Sequence, residues 1–162
     1  MPAQRRGLSV QSVGTPDVFL AAVKRRLGIF AFGLDIAASK DNATARKYFT
    51  QRDDCFAQPS WRSQMGGRLA WSWLNPEFGD IAPYAQRCLH EREVNAAQIA
   101  MLVPASTGSN WFRDFVYRKA FVLFLNGRIQ FVGHDHGYPK DLILVLYSPI
   151  VAPGEEIWRW QG

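Results

Sequence analysis

Apolar positions along this chain change period several times, and the changes mark out its elements. After Gly14-Thr15-Pro16-Asp17, residues Val18, Phe19, Ala22, Val23 and Leu27 recur at helical spacing. Thr15 is placed to cap that helix, with Pro16 in its first position. Lys24, Arg25 and Arg26 load the last turn, which suits the helix dipole, and Gly28 ends it. An apolar run over 29–37 predicts the first strand, with Asp35 near its carboxyl end. A polar turn over 38–42 leads into a short helix predicted at 43–47 and a short strand at 48–50. Residues 58–67 are rich in turn formers and read as loop. The run 69–74 predicts a buried strand, which stops at Asn75-Pro76-Glu77-Phe78-Gly79. A helix over 81–95 follows, then a strand over 98–103, a polar loop over 104–112 and a helix over 111–118. Apolar runs at 120–125 and 128–132 flank Asn126-Gly127, the strongest short hairpin signal. A core strand at 142–147 and a short edge strand at 157–160 complete the chain.

Alternating helices and strands predict one α/β domain over 1–162, parallel early and antiparallel late, with residues 1–12 loosely ordered. There is no internal repeat, no dividing linker and no stretch long enough for a separate target-recognition domain. Three polar clusters fall at consecutive strand ends, at 35–42, 75–79 and 104–112. In an alternating sheet such ends lie side by side and form one crevice.

Composition narrows the class. With 48% hydrophobic and 20% charged residues the chain reads as soluble and globular. No apolar run approaches the ~20 residues of a membrane span, so no membrane partner is expected, and a cytoplasmic location is. Two cysteines, Cys55 and Cys88, make no disulfide framework. A net charge of +5 favours a polyanionic partner; Arg5 and Arg6 either solvate the terminus, the favoured reading, or touch phosphates.

The strand-end residues have usable chemistry. The Asn75 side-chain oxygen accepts hydrogen bonds from an amino group. Pro76 fixes the backbone and offers its carbonyl. Phe78 presents a flat face on which an extruded base could stack. Asp35 could be buried unpaired only at a cost of several kcal/mol, so it must meet water, backbone donors or a ligand. Phosphate-loop and dinucleotide motifs are missing, and no Gly-x-Ser-x-Gly elbow supports a serine nucleophile. His134-Asp135-His136 lacks a third ligand at a recognised spacing, so no metal is assigned.

An ordered set of short motifs then resembles the phage-type DNA N-6-adenine methyltransferases (Dam-like). These are Gly14-Thr15-Pro16, residues 34–39 with Asn42, Tyr48-Phe49-Thr50, and the acidic pair Asp53-Asp54. They continue with Trp73-Leu74-Asn75-Pro76-x-Phe78, residues 104–112, Phe124-Leu125-Asn126-Gly127-Arg128 and Tyr138-Pro139-Lys140-Asp141. The resemblance spans about Val13 to Trp160. It implies a Rossmann-like class I S-adenosylmethionine-dependent methyltransferase fold, a mixed, mostly parallel sheet with a late antiparallel strand. It implies DNA as partner and S-adenosylmethionine as cofactor. Thr15 and Pro16 would lie at the cofactor's methionine end. Asp35, Ala37 and Ala38 would line its cleft, and Asp53 or Asp54 would meet its adenine or ribose. Asn75, Pro76, Glu77 and Phe78 would form the catalytic stretch. Ser109, Asn110 and Trp111 would hold the far side of the target base or a nearby phosphate.

One position departs from the family pattern: Glu77 stands where a second proline is usual. That carboxylate can turn outward, pair with an arginine, or repel DNA. Three readings follow. The chain methylates adenine in phage or prophage DNA; or it keeps the fold and binds nucleic acid or cofactor without transfer; or it methylates an RNA base or a protein amide. Loose sequence specificity is expected, set by loops such as 58–67 and 133–140.

Overall fold

The computed structural model describes residues 14–67 and 69–162. The expected loose segment 1–12, with Arg5 and Arg6, lies outside them. Helix α1 is Asp17–Leu27, α2 Ala82–Asn95 and α3 Asn110–Phe115. The strands are β1 Leu34–Asp35, β2 Trp71–Leu74, β3 Gln98–Pro104, β4 Phe121–Asn126, β5 Leu142–Tyr147 and β6 Gly154–Arg159. They form one six-stranded sheet in the order β1-β2-β3-β5-β4-β6. Strands β1, β2 and β3 are parallel neighbours, as are β4 and β6, while β5 runs antiparallel to both β3 and β4. Five strands therefore point one way and β5 alone points back, a late antiparallel strand as the family resemblance implies, supplied by 142–147 and not by the return strand expected at 128–132.

Both faces of the sheet are covered. Every residue of β3 and β5 is buried, which is why they read as unbroken apolar runs. Ile99, Met101 and Val103 face one layer with Cys88 and Leu89 of α2. Ala100 and Leu102 face the other with Phe19 and Val23 of α1. Phe19 packs edge-on against Trp73 and Trp160, ring centroids 6.3 and 5.1 Å apart. Gly28 closes α1 in the left-handed region, φ 70°. Cys55 and Cys88 are free and buried, and burial pushes the Cys55 thiol up to about 12.

Several predicted elements differ. The first strand shrinks to Leu34–Asp35, and Phe30 is fully exposed. The helix expected at 43–47 does not form. Its backbone is drawn to β1 instead: Asp35 N donates to Lys47 O and Phe49 N to Asp35 O, each 2.9 Å. The strand expected at 48–50 is one bridge, Tyr48 to Asp35. The helix expected at 111–118 is the shorter α3. The hairpin around Asn126-Gly127 fails because both edges of β4 are taken, by β5 and β6. Ile129 and Phe131 instead anchor an irregular connection to the core. Val132 N pairs with Gly14 O at 3.0 Å and Tyr138 N with Ile129 O at 2.7 Å.

Gly33 is required by close approach. A Cβ there would lie 2.0 Å from the Met65 carbonyl oxygen and 3.2 Å from Ala70 Cβ. Gly33→Ala is expected to destabilise the fold by about 2–3 kcal/mol or more, since backbone must move to admit the methyl group. Urea unfolding of the two proteins checks this; equal midpoints would contradict the packing described.

Candidate active site

The crevice lies where β1, β2 and β3 end side by side. Asp35 closes β1, Asn75 and Pro76 follow β2, and Pro104 closes β3. The apolar faces that bury these strands also bury the first polar residues beyond them.

Asp35 is 2% exposed. Its carboxylate accepts from Ala37 N at 3.3 Å, and from Thr44 N and Thr44 Oγ1, each 2.9 Å. Burial pushes its carboxyl up to about 6, against the lowering effect of those three bonds. The backbone donors expected for it are thus present, and Thr44 adds a hydroxyl that no sequence motif singles out. Ala37 and Ala38 are themselves buried.

Asn75 is 5% exposed. Its Nδ2 donates to Thr15 Oγ1 at 3.2 Å, while its Oδ1 has no partner among the described residues. A buried acceptor left unpaired costs about 1–3 kcal/mol, which is compensated when a donor arrives. Thr15 does not cap α1, whose start has Pro16 at the cap position and no side-chain cap bond. The threonine hydroxyl is turned to the end of β2, where it fixes the asparagine amide.

Phe78 is half-buried and sits edge-on to Tyr138 and Phe131, centroids 5.4 and 6.4 Å away. Those two rings come from the 127–141 connection, where the pattern predicts hairpin and loop; Tyr138-Pro139 belongs to the motif set, but nothing in the pattern assigns Phe131 or Tyr138 to the Phe78 ring. Glu77 makes no ion pair among the described residues, so the arginine partner considered for it is not seen. It lies on the α2 side. There burial first, and then the nearness of Cys55, Glu77, Asp80 and Asp54, holds the Tyr84 phenol well above its usual range.

The acidic pair occupies the next loop along. Asp53 Oδ2 accepts from Thr50 N at 2.9 Å and Thr50 Oγ1 at 3.0 Å, which lowers its carboxyl. Asp54 Oδ1 accepts from Phe56 N at 3.0 Å, at φ 54°. One oxygen of each carboxylate is thus engaged in a turn. Two residues that the pattern did not mark hold this loop to α2. Glu91, fully buried, accepts from the Trp61 and Arg62 amides and from Asn95. Arg87 reaches the Phe56 and Gln58 carbonyls and lies over the Trp61 ring, 4.9 Å from its centroid.

Ser109 is spent as the N-cap of α3: its hydroxyl donates to Ser106 O at 2.6 Å and accepts from Phe112 N at 3.3 Å. Trp111 is half-buried beside Phe112 and Asn110 is exposed. Among the described residues no hydrogen bond or ring contact joins these three to Asn75 or Phe78. His134 and His136 are exposed. No described group of three or more His, Cys, Asp or Glu side chains could hold a metal ion. No described helix is long and apolar enough to cross a membrane.

A mostly parallel sheet with buried polar groups converging on one carboxyl edge is the layout of an α/β domain that binds a small molecule in that crevice. The family model for DNA N-6-adenine-methyltransferase (Dam) matches residues 11–153, and the chain belongs to that family. A DNA N-6-adenine-methyltransferase of Escherichia phage T1 is 25% identical over 142 residues, 78% of this chain. The chain spans 56% of that relative's length. No solved structure matches the chain.

The Asp35 shift has a sign. Its folded value lies above the unfolded one, so its contribution to stability is complete below about pH 4 and is lost as pH rises through about 6. Across that window the group accounts for about 3 kcal/mol. Asp35→Asn is expected to lack this loss, so its stability relative to wild type should improve between pH 4 and pH 7. Denaturant titrations at the two pH values measure the difference; parallel profiles would contradict the burial argument.

Proposed function

We propose that this protein is a DNA adenine methyltransferase of the phage type, built on a Rossmann-like class I S-adenosylmethionine-dependent fold. The observation that carries the reading is the buried, unpartnered Asn75 Oδ1, held by Thr15 at the end of a central parallel strand and followed by Pro76 and Phe78. Family membership and the phage T1 relative support it.

The residues fit the cofactor. S-adenosylmethionine, when bound, supplies an electrophilic methyl group on a sulfonium centre. Thr15 and Pro16 would hold its methionine end, and the crevice edge at Asp35, Ala37 and Ala38 its middle. The Asp53 and Asp54 oxygens not engaged in turns would accept from its hydroxyl or amino groups.

Asn75 Oδ1 and the Pro76 carbonyl accept the two N–H bonds of an adenine amino group. Doing so draws electron density onto that nitrogen and fixes the direction of its lone pair, with no covalent link to the protein. Thr15 raises the precision of this arrangement, because a fixed Nδ2 leaves Oδ1 one orientation. Phe78, backed by Tyr138 and Phe131, offers the wall on which the extruded base stacks. Asn110 and Trp111 would meet the base or backbone from the α3 side.

Transfer from labelled S-adenosylmethionine to unmethylated DNA, digested to nucleosides, tests the proposal. Label is expected in methyladenine, and Asn75→Ala is expected to lower the rate by about 100-fold or more, the scale for losing one polar group aimed at the reacting atom. Cofactor binding should survive the substitution. Cofactor binding without transfer to DNA, with activity gained in Glu77→Pro, would instead favour a binding protein.

A further inference from the structure

The cleft of about 250 Å³ between residues 125–129 and 140–142 is not used by the chemistry above. Leu125, Ile129 and Leu142 give it an apolar floor, and Asn126, Arg128 and Lys140 a polar rim. It opens at the carboxyl end of β4, which points the same way as β2, so it lies on the same edge of the sheet as Asn75. We propose that this cleft binds the sugar-phosphate backbone of DNA beside the extruded adenine. The proposal rests on the adenine-methyltransferase reading.

Three features support it. The first is fixed geometry. Trp160 Nε1 donates to Gly127 O at 2.9 Å, and Gly127 takes φ 117°. A Cβ on Gly137 would lie 2.7 Å from Arg128 Cβ, so the far side of the loop closes directly over the arginine stem. Arg128 Nη1 pairs with Asp141 Oδ1 at 3.0 Å, and both side chains remain more than half exposed. An arginine already held in place loses little conformational freedom on meeting a phosphate.

The second is charge. Lys140 makes no ion pair among the described residues and leaves an uncompensated cation on the rim. The Asp141 carboxylate opposes an anion, so the rim carries one net positive charge from Arg128, Lys140 and Asp141. An apolar floor beside a cationic rim suits deoxyribose beside phosphate.

The third is continuity with the base site. Tyr138 N is bonded to the carbonyl of Ile129 in the cleft floor, while the Tyr138 ring packs on Phe78. An enzyme that extrudes a base must hold the backbone next to it, and one connection here reaches both places.

The test uses the full chain and a DNA duplex of defined sequence, with Kd measured by fluorescence anisotropy over a salt series. Lys140→Gln and Arg128→Gln should each weaken binding about 5–10-fold at low salt and lower the slope of log K against log salt by about 1. S-adenosylmethionine affinity and the rate at saturating DNA should stay within twofold, so the loss appears in KM. Asp141→Asn removes the opposing charge and should tighten DNA binding severalfold. If Arg128→Gln lowers Tm, Lys140→Gln and Asp141→Asn decide alone. A wild-type protein that methylates DNA, with unchanged Kd and slope in Lys140→Gln or no tightening in Asp141→Asn, overturns the cleft and leaves the enzyme reading intact. A wild-type protein that neither binds nor methylates DNA overturns both.

Discussion

The structure depends on keeping a carboxylate and a carboxamide out of water at the ends of two neighbouring strands. Desolvating such groups is costly, and each cost must be offset locally. For Asp35 the offset is a hydroxyl and two amides delivered by the segment that wraps β1. For Asn75 it is half complete: the amide nitrogen is satisfied by Thr15 and the oxygen is not. The unmatched half is the acceptor we assign to a substrate amino group, and on that proposal the feature that weakens the fold is also the one that gives it chemistry.

Holding these groups dry requires loops anchored as firmly as the sheet. The segment after β1 is drawn back by backbone pairing at Lys47 and Phe49. The acidic loop is tied to α2 by Glu91 and Arg87, which satisfy or capture backbone groups in a region whose regular structure is limited to two 3-10 turns, Cys55–Ala57 and Arg62–Gln64. The 127–141 connection is pinned by Ile129, Phe131 and the Tyr138 amide.

Much of this was legible because it follows from periodicity. The all-apolar runs at β3 and β5, the amphipathic α1 with Gly28 at its end, and the convergence of three polar strand ends all follow from local pattern. The failures share a cause, which is competition from distant partners. Thr15 suits a helix cap, yet a carboxamide 60 residues away takes its hydroxyl. The segment 43–47 has helical character, yet β1 takes its backbone. Asn126-Gly127 favours a hairpin, yet both edges of β4 are occupied, by β5 and β6. Glu91 looks like one more charge on a solvated helix, and only the tertiary structure shows it fully buried.

The position of β5 has a consequence for how the chain is made. This strand joins β3 to β4 in the middle of the sheet, yet it is encoded after both. Until residue 147 is available, β3 presents an unpaired edge that is apolar from Ile99 to Pro104, and β4 has no link to the parallel half. Long-range pairings of this kind form slowly. A nascent chain therefore carries an open sheet edge from the completion of β3 at residue 104 until residue 147 is made, a period when strand-to-strand association between molecules is a hazard.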